Sequence, residues 1–171
     1  MSIILVRHTR PNIANGICYG RTDLDVVPSF DDEASTVSAG LGPADVVVSS
    51  PLRRCLKLAD RIAEAIGLEV QVDPRVQEMD FGRWEGLPWS DIARVELDAW
   101  AADFLHARSH AGESVAMLRE RTLAALADYR RCGKRYIVVT HSGVIKAALA
   151  TGDSAQDFQT ATDFGGIVQF D

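Results

Sequence analysis

Ile3-Ile4-Leu5-Val6-Arg7-His8-Thr9-Arg10-Pro11 is the stretch on which the reading of this 171-residue chain turns. Four apolar residues, three of them β-branched, make a short run with no polar face, the pattern of a strand buried on both sides. The run stops abruptly at two arginines, a histidine and a proline. A buried strand that delivers its C-terminal end into a charged turn is how open α/β sheets present their sites. Two further segments repeat the arrangement. Asp45-Val46-Val47-Val48-Ser49 runs into Ser50-Pro51-Leu52-Arg53-Arg54. Tyr136-Ile137-Val138-Val139-Thr140 runs into His141-Ser142-Gly143.

Between these strands the apolar period is helical. Leu52, Leu56, Ala59, Ala63 and Ile66 share one face, with Ser50 expected as cap, Pro51 at the first helical position and Gly67 as the stop. Leu68 to Val72 alternates as a short strand, completing a strand–helix–strand unit that implies parallel pairing. Glu113 to Arg131 is the clearest helix, basic in its last turn and closed by Gly133. Residues 29–39 read as a weaker helix, 89–105 as a helix in two pieces, and 144–150 as the start of another. Gly165 to Phe170 reads as a closing, antiparallel edge strand. The expected fold is α/β: a single domain over residues 1–171, a three-layer sandwich with a mostly parallel central sheet and helices on both faces.

Composition narrows the function classes. Hydrophobic residues make up 47% and charged residues 25%, as in ordinary globular chains. A net charge of -6 argues against nucleic acid or an anionic membrane as the partner. A small anionic ligand stays compatible, because a few local charges decide a pocket. Cys18, Cys55 and Cys132 are odd in number and form no Cys-x-x-Cys, so a cytoplasmic, reducing setting is expected, with no metal and no cofactor. No stretch approaches the length of a membrane span. His106 and His110, four apart, lack a third ligand and read as solvated surface. Trp89 and Trp100 read as packing, and Cys55 as a small buried residue.

In a parallel sheet the C-terminal strand ends share one edge, so His8, His141 and the arginines at 7, 53 and 54 are expected in one crevice. Arg7-His8-Thr9, Ser49-Ser50-Pro51-Leu52-Arg53-Arg54, Glu78-Met79-Asp80-Phe81-Gly82-Arg83-Trp84-Glu85-Gly86 and Thr140-His141-Ser142-Gly143 occur in that order. Together they resemble the signatures of the histidine phosphatase superfamily, the phosphoglycerate mutase-like branch, over residues 3 to about 150. Thr9-Arg10-Pro11 with Cys18-Tyr19-Gly20-Arg21-Thr22-Asp23 most resembles the α-ribazole phosphatases of that branch, which act in cobalamin assembly. Three departures stand out: Thr9-Arg10 in place of the common Gly-Glu, Ala14 where an Asn is usual, and Ser142 after the second histidine.

The resemblance implies a metal-independent phosphomonoester hydrolase working through a phosphohistidine, with a small-molecule substrate such as α-ribazole 5'-phosphate or another sugar or nucleoside phosphate. His8 is the expected nucleophile: a neutral imidazole nitrogen attacks well near pH 7. Arg7 and Arg54, with Arg53 in reserve, supply planar donor forks to the phosphoryl oxygens. Thr9 and His141 are further phosphate contacts. Glu78 is the proton donor and acceptor, with Asp80 and Glu85 as alternatives. Tyr19, Gly20 and Arg21 are possible substrate contacts. The other readings are a broad-specificity phosphatase, a mutase-type phosphotransferase, and a phosphate-binding module without turnover.

Overall fold

The computed structural model describes residues 2–170. Five strands, β1 (Ser2–Arg7), β2 (Val46–Ser49), β3 (Val70–Val72), β4 (Arg135–Thr140) and β5 (Ile167–Phe170), form one sheet in the order β3-β2-β4-β1-β5. The first four strands run parallel. β5 closes the edge antiparallel to β1, with Ile3 opposite Phe170. The register sets Arg7 beside Thr140 and Ser49 beside Val139, so the residues after β1, β2 and β4 emerge level with one another.

Alternation along the strands sorts the helices into two layers. Ile3, Leu5, Val46, Val48, Tyr136 and Val138 face α4 (Val115–Arg131) and α5 (Ser142–Leu149). Val6, Val47, Ile137 and Val139 face α1 (Phe30–Ala39) and α2 (Arg53–Ile66). Leu5, Val6, Val47, Val138 and Val139 are completely buried, and burying each such side chain contributes about 1.5–3 kcal/mol. A smaller cluster of Cys18, Trp84 and Ile92 packs under α3 (Arg94–Ala102) through Leu97 and Trp100. Of the 89–105 segment, Arg94–Ala102 is α-helix, preceded by a 3-10 turn at Trp89–Asp91.

Two expectations need correction. α2 begins at Arg53, so Ser50 is not its cap and Pro51 is not its first helical residue. A residue before proline disfavours the helical conformation, and Ser50 lies just past the end of β2 and outside the helix. Its hydroxyl accepts from the Leu52 amide at 3.3 Å, and the amide of Arg53 donates instead to Asp23 at 2.7 Å. His110 is not surface. It is fully buried, its ring 4.9 Å from that of Trp84, and its Nδ1 accepts from the Gly112 amide. Among the described residues no three His, Cys, Asp or Glu side chains stand where they could share a metal ion. No helix of the described residues is long and apolar enough to cross a membrane.

Candidate active site

The crevice at the C-terminal strand ends holds His8 and His141, ring centroids 5.2 Å apart. Both are buried. His8 leaves β1 with its amide bonded to the Thr140 carbonyl and its Nδ1 2.6 Å from the carbonyl of Thr9. A carbonyl can only accept, so Nδ1 carries the proton and Nε2 presents a lone pair. Burial, with the guanidinium of Arg54 next in weight and that of Arg7 adding to it, pushes the His8 pKa down to about 3. The ring is therefore neutral at pH 7, with its free nitrogen fixed in direction.

Arg54 lies fully buried in the first turn of α2. Its Nε donates to His8 Nε2 at 3.3 Å, while Nη1 and Nη2 donate to the carbonyls of Thr22 and Gly20 at 2.8 and 2.7 Å. Nη2 also sits 3.4 Å from His141 Nδ1. A guanidinium only donates, so Nδ1 accepts and Nε2–H of His141 donates to Ser50 Oγ at 2.8 Å. Burial first, then the neighbouring His8 and Arg54, hold His141 well below the usual histidine range. His141 thus offers dipoles to the site rather than a charge. The buried thiol of Cys55 stands 3.4 Å from His141 Nε2 and donates to the Thr140 carbonyl. Burial raises its pKa.

Arg7 brings the second guanidinium. Its Nη1 donates to the Thr162 carbonyl at 2.6 Å, and its plane lies 3.9 Å above the ring of Phe164. Its Nε is buried and has no acceptor in the protein. Such orphaned donors are uncommon, and this one belongs to the residue next to His8.

Glu78 enters from the loop before residue 79, and both carboxylate oxygens are held. Oε1 accepts from the Met79 amide at 2.9 Å, and Oε2 accepts from the Gly143 amide in the first turn of α5 at 3.1 Å. A Cβ on Gly143 would lie 2.2 Å from Oε1, so only glycine permits this approach. Behind the loop, Arg121 of α4 donates to the carbonyls of Arg75, Gln77 and Glu78 and pairs with both oxygens of Glu113.

Arg7, His8, Glu78 and Tyr19 line a cavity of about 670 Å³, with Arg54 and His141 behind His8. The residues singled out from sequence divide accordingly. Thr9 is completely buried beside His8 and is not among the lining residues; its carbonyl fixes the His8 tautomer, and its Oγ1, like Arg7 Nε, is buried without a partner in the protein. Gly20 and Arg21 are not cavity contacts either. The Gly20 carbonyl holds Arg54, and its Cα is pressed so close to the Met79 carbonyl that a Cβ would sit 1.9 Å away. The Arg21 side chain points to Glu113 at 3.8 Å, and its amide donates to Glu85. Arg53 faces outward, paired with Asp23 and Asp25. Asp80 and Glu85 bond loop amides instead of lining the cavity. Ala14 and Asn15 line a smaller adjoining hollow of about 350 Å³ that shares Tyr19 with the main one. Ser50, Arg121, Phe164 and Thr162 were not legible in sequence. Ser50 lies within the Ser49–Arg54 motif but its partner His141 is 91 residues away, Thr162 and Phe164 share one stretch near the end, and no spacing ties any of the four to the histidines.

Comparison with known proteins places this geometry. The family model of the histidine phosphatase superfamily, branch 1, matches residues 3–162. The adenosylcobalamin/alpha-ribazole phosphatase of Escherichia coli K12 is 28% identical over 160 residues, which cover 88% of this chain and 78% of that protein. Phosphoserine phosphatase 1 of Hydrogenobacter thermophilus is also 28% identical, over 155 residues, 86% of this chain and 74% of the relative. The solved structure of mycobacterial glucosyl-3-phosphoglycerate phosphatase superposes with a TM-score of 0.85 at 25% identity, covering 98% of this chain and 88% of that one.

Proposed function

The chain belongs to the histidine phosphatase superfamily, branch 1, and from that premise we propose that it hydrolyses phosphomonoesters through a phosphohistidine at His8. The carrying observation is the tautomer: the Thr9 carbonyl holds the proton on Nδ1, so Nε2 carries a lone pair, which accepts from Arg54 Nε at 3.3 Å until a phosphoryl group takes up that donor. Nε2 attacks, the bond from phosphorus to the ester oxygen breaks, and Glu78 gives that oxygen its proton. Water then attacks phosphorus and Glu78 takes the proton back. The phosphorus–nitrogen bond breaks with its electron pair returning to Nε2, and phosphate leaves. Arg7 and Arg54 supply guanidinium donors beside Nε2 where charge grows, with His141 and Ser50 behind them, an arrangement in which one donor is worth about 3–4 kcal/mol.

For the substrate we take a sugar or nucleoside phosphate, with α-ribazole 5'-phosphate the first to test. The Thr9-Arg10-Pro11 and Tyr19–Asp23 pattern and the E. coli relative support it. Phosphate release from p-nitrophenyl phosphate and α-ribazole 5'-phosphate, with EDTA present, tests the reading in wild type and His8→Ala. The expected result is turnover indifferent to EDTA and lost in the variant. Phosphate binding without turnover in the folded wild type would replace the hydrolase with a binding module.

A further inference from the structure

A phosphoryl group needs only the inner end of the 670 Å³ cavity; typical small-molecule pockets of this size enclose a whole ligand. The outer part has two unlike sides. One is a wall of rings: Phe81, Trp89, Trp100, Phe104 and Phe158 all line it. The Phe81 and Trp89 rings stand edge to face at 5.8 Å, and Trp100 packs on Phe104 at 5.9 Å. The Trp100 indole N–H is buried with no acceptor in the protein.

The other side is α5. Ser142 and Lys146 lie four residues apart on it and both line the cavity, so the lysine stands about 6 Å further from the catalytic end. Its ammonium has no hydrogen bond or ion pair among the described residues. Glu78 is the one carboxylate among the described residues lining the cavity, and both its oxygens already accept backbone amides. An ammonium on a leaving group finds no free anion among the lining residues, and a carboxylate such as that of phosphoserine competes with ring acceptors for Lys146. A flat ring meets an aromatic wall, and hydroxyl or ring-nitrogen acceptors meet Lys146.

We propose that the outer cavity is a leaving-group subsite for a planar aromatic body bearing hydrogen-bond acceptors, the nucleoside 5'-phosphate class, with Trp89 and Phe81 as the stacking wall and Lys146 as the donor that orients it. The proposal rests on His8 as the nucleophile. Stacking of one base on such a wall is worth roughly tenfold or more in binding.

The test is a comparison of kcat/KM on α-ribazole 5'-phosphate, adenosine 5'-monophosphate, glycerol 3-phosphate and phosphoserine, in wild type, Trp89→Leu, Lys146→Met and His8→Ala. Circular dichroism melting identifies the folded variants. The expected result is a preference of at least about tenfold for the two nucleoside esters over the aliphatic ones, reduced severalfold in either folded subsite variant. Two outcomes overturn the subsite while leaving the hydrolase reading intact: His8-dependent turnover with phosphoserine or glycerol 3-phosphate equal or preferred, or a preference that neither variant moves. Absence of His8-dependent turnover on every ester overturns the hydrolase reading itself, and the subsite with it.

Discussion

At the scale of single residues, the site depends on fixed directions more than on charge. His8→Ala is expected to lower kcat at least about 1,000-fold with the fold intact, read from initial rates and a melting curve. Glu78→Gln separates acid catalysis from nucleophilic attack. It should lower the rate of enzyme phosphorylation by an alkyl ester, read in the first turnover, about 100-fold or more, and do much less with p-nitrophenyl phosphate, whose leaving group departs without a proton; the later water step is common to both esters. Equal losses on both would remove Glu78 from the protonation step. The histidines, Arg54 and Glu78 were legible because each ends a strand or sits in a motif with its own spacing. Their bracing was not. Ser50 looked like a helix cap by residue type, yet α2 begins three residues later and the Ser50 hydroxyl accepts from His141. The carbonyl of Thr9, which fixes the His8 tautomer, is a backbone contact that residue type does not announce.

Among elements, α4 does work that its sequence conceals. Its apolar face predicts packing, and Val115, Leu118, Ala125 and Leu126 do pack. Arg121 lies in the same helix and carries three loop carbonyls and a buried carboxylate. Removing one partner of such a buried pair is costly, so Arg121→Met should lose about 3 kcal/mol of stability, measured by urea unfolding. It should also lower kcat more than it raises KM, because the loop that carries Glu78 loosens. An unchanged kcat would show that the loop holds itself. Helix periodicity reports which face is apolar; it says nothing about which long side chain bends back to a distant loop. That is also why His110, in an irregular segment with no period at all, was misread as surface.

For the whole molecule, parallel pairing and layering followed from the strand runs, since β-branched runs joined by a helix admit parallel pairing and little else; the order of the strands did not. The same stacking of strand ends buries two histidines in neutral form, with a consequence for stability. The folded pKa of His8, about 3, lies below the ordinary value of 6.5, and His141 is lowered likewise. Between those values the unfolded chain binds more protons, so stability rises with pH through that window and is lost as pH falls from 6.5 toward 3. Each histidine contributes a slope of up to about 1.4 kcal/mol per pH unit. Urea midpoints at pH 7 and pH 5 should differ accordingly, and the difference should shrink in folded His8→Asn. A midpoint independent of pH over that range would mean that the rings are hydrated.

The three cysteines have a use of a different kind. Cys132 is exposed, Cys18 lies in the aromatic cluster with its thiol pushed up to about 12 by burial, and Cys55 is sealed against His141. With Cys132→Ser as background, a thiol-labelling reagent can reach Cys18 or Cys55 only during an opening event. The two labelling rates become separate clocks, one for the aromatic cluster and one for the histidine crevice. If the cluster breathes by itself, Cys18 will be tagged long before Cys55; if the molecule opens as one unit, both will be tagged together.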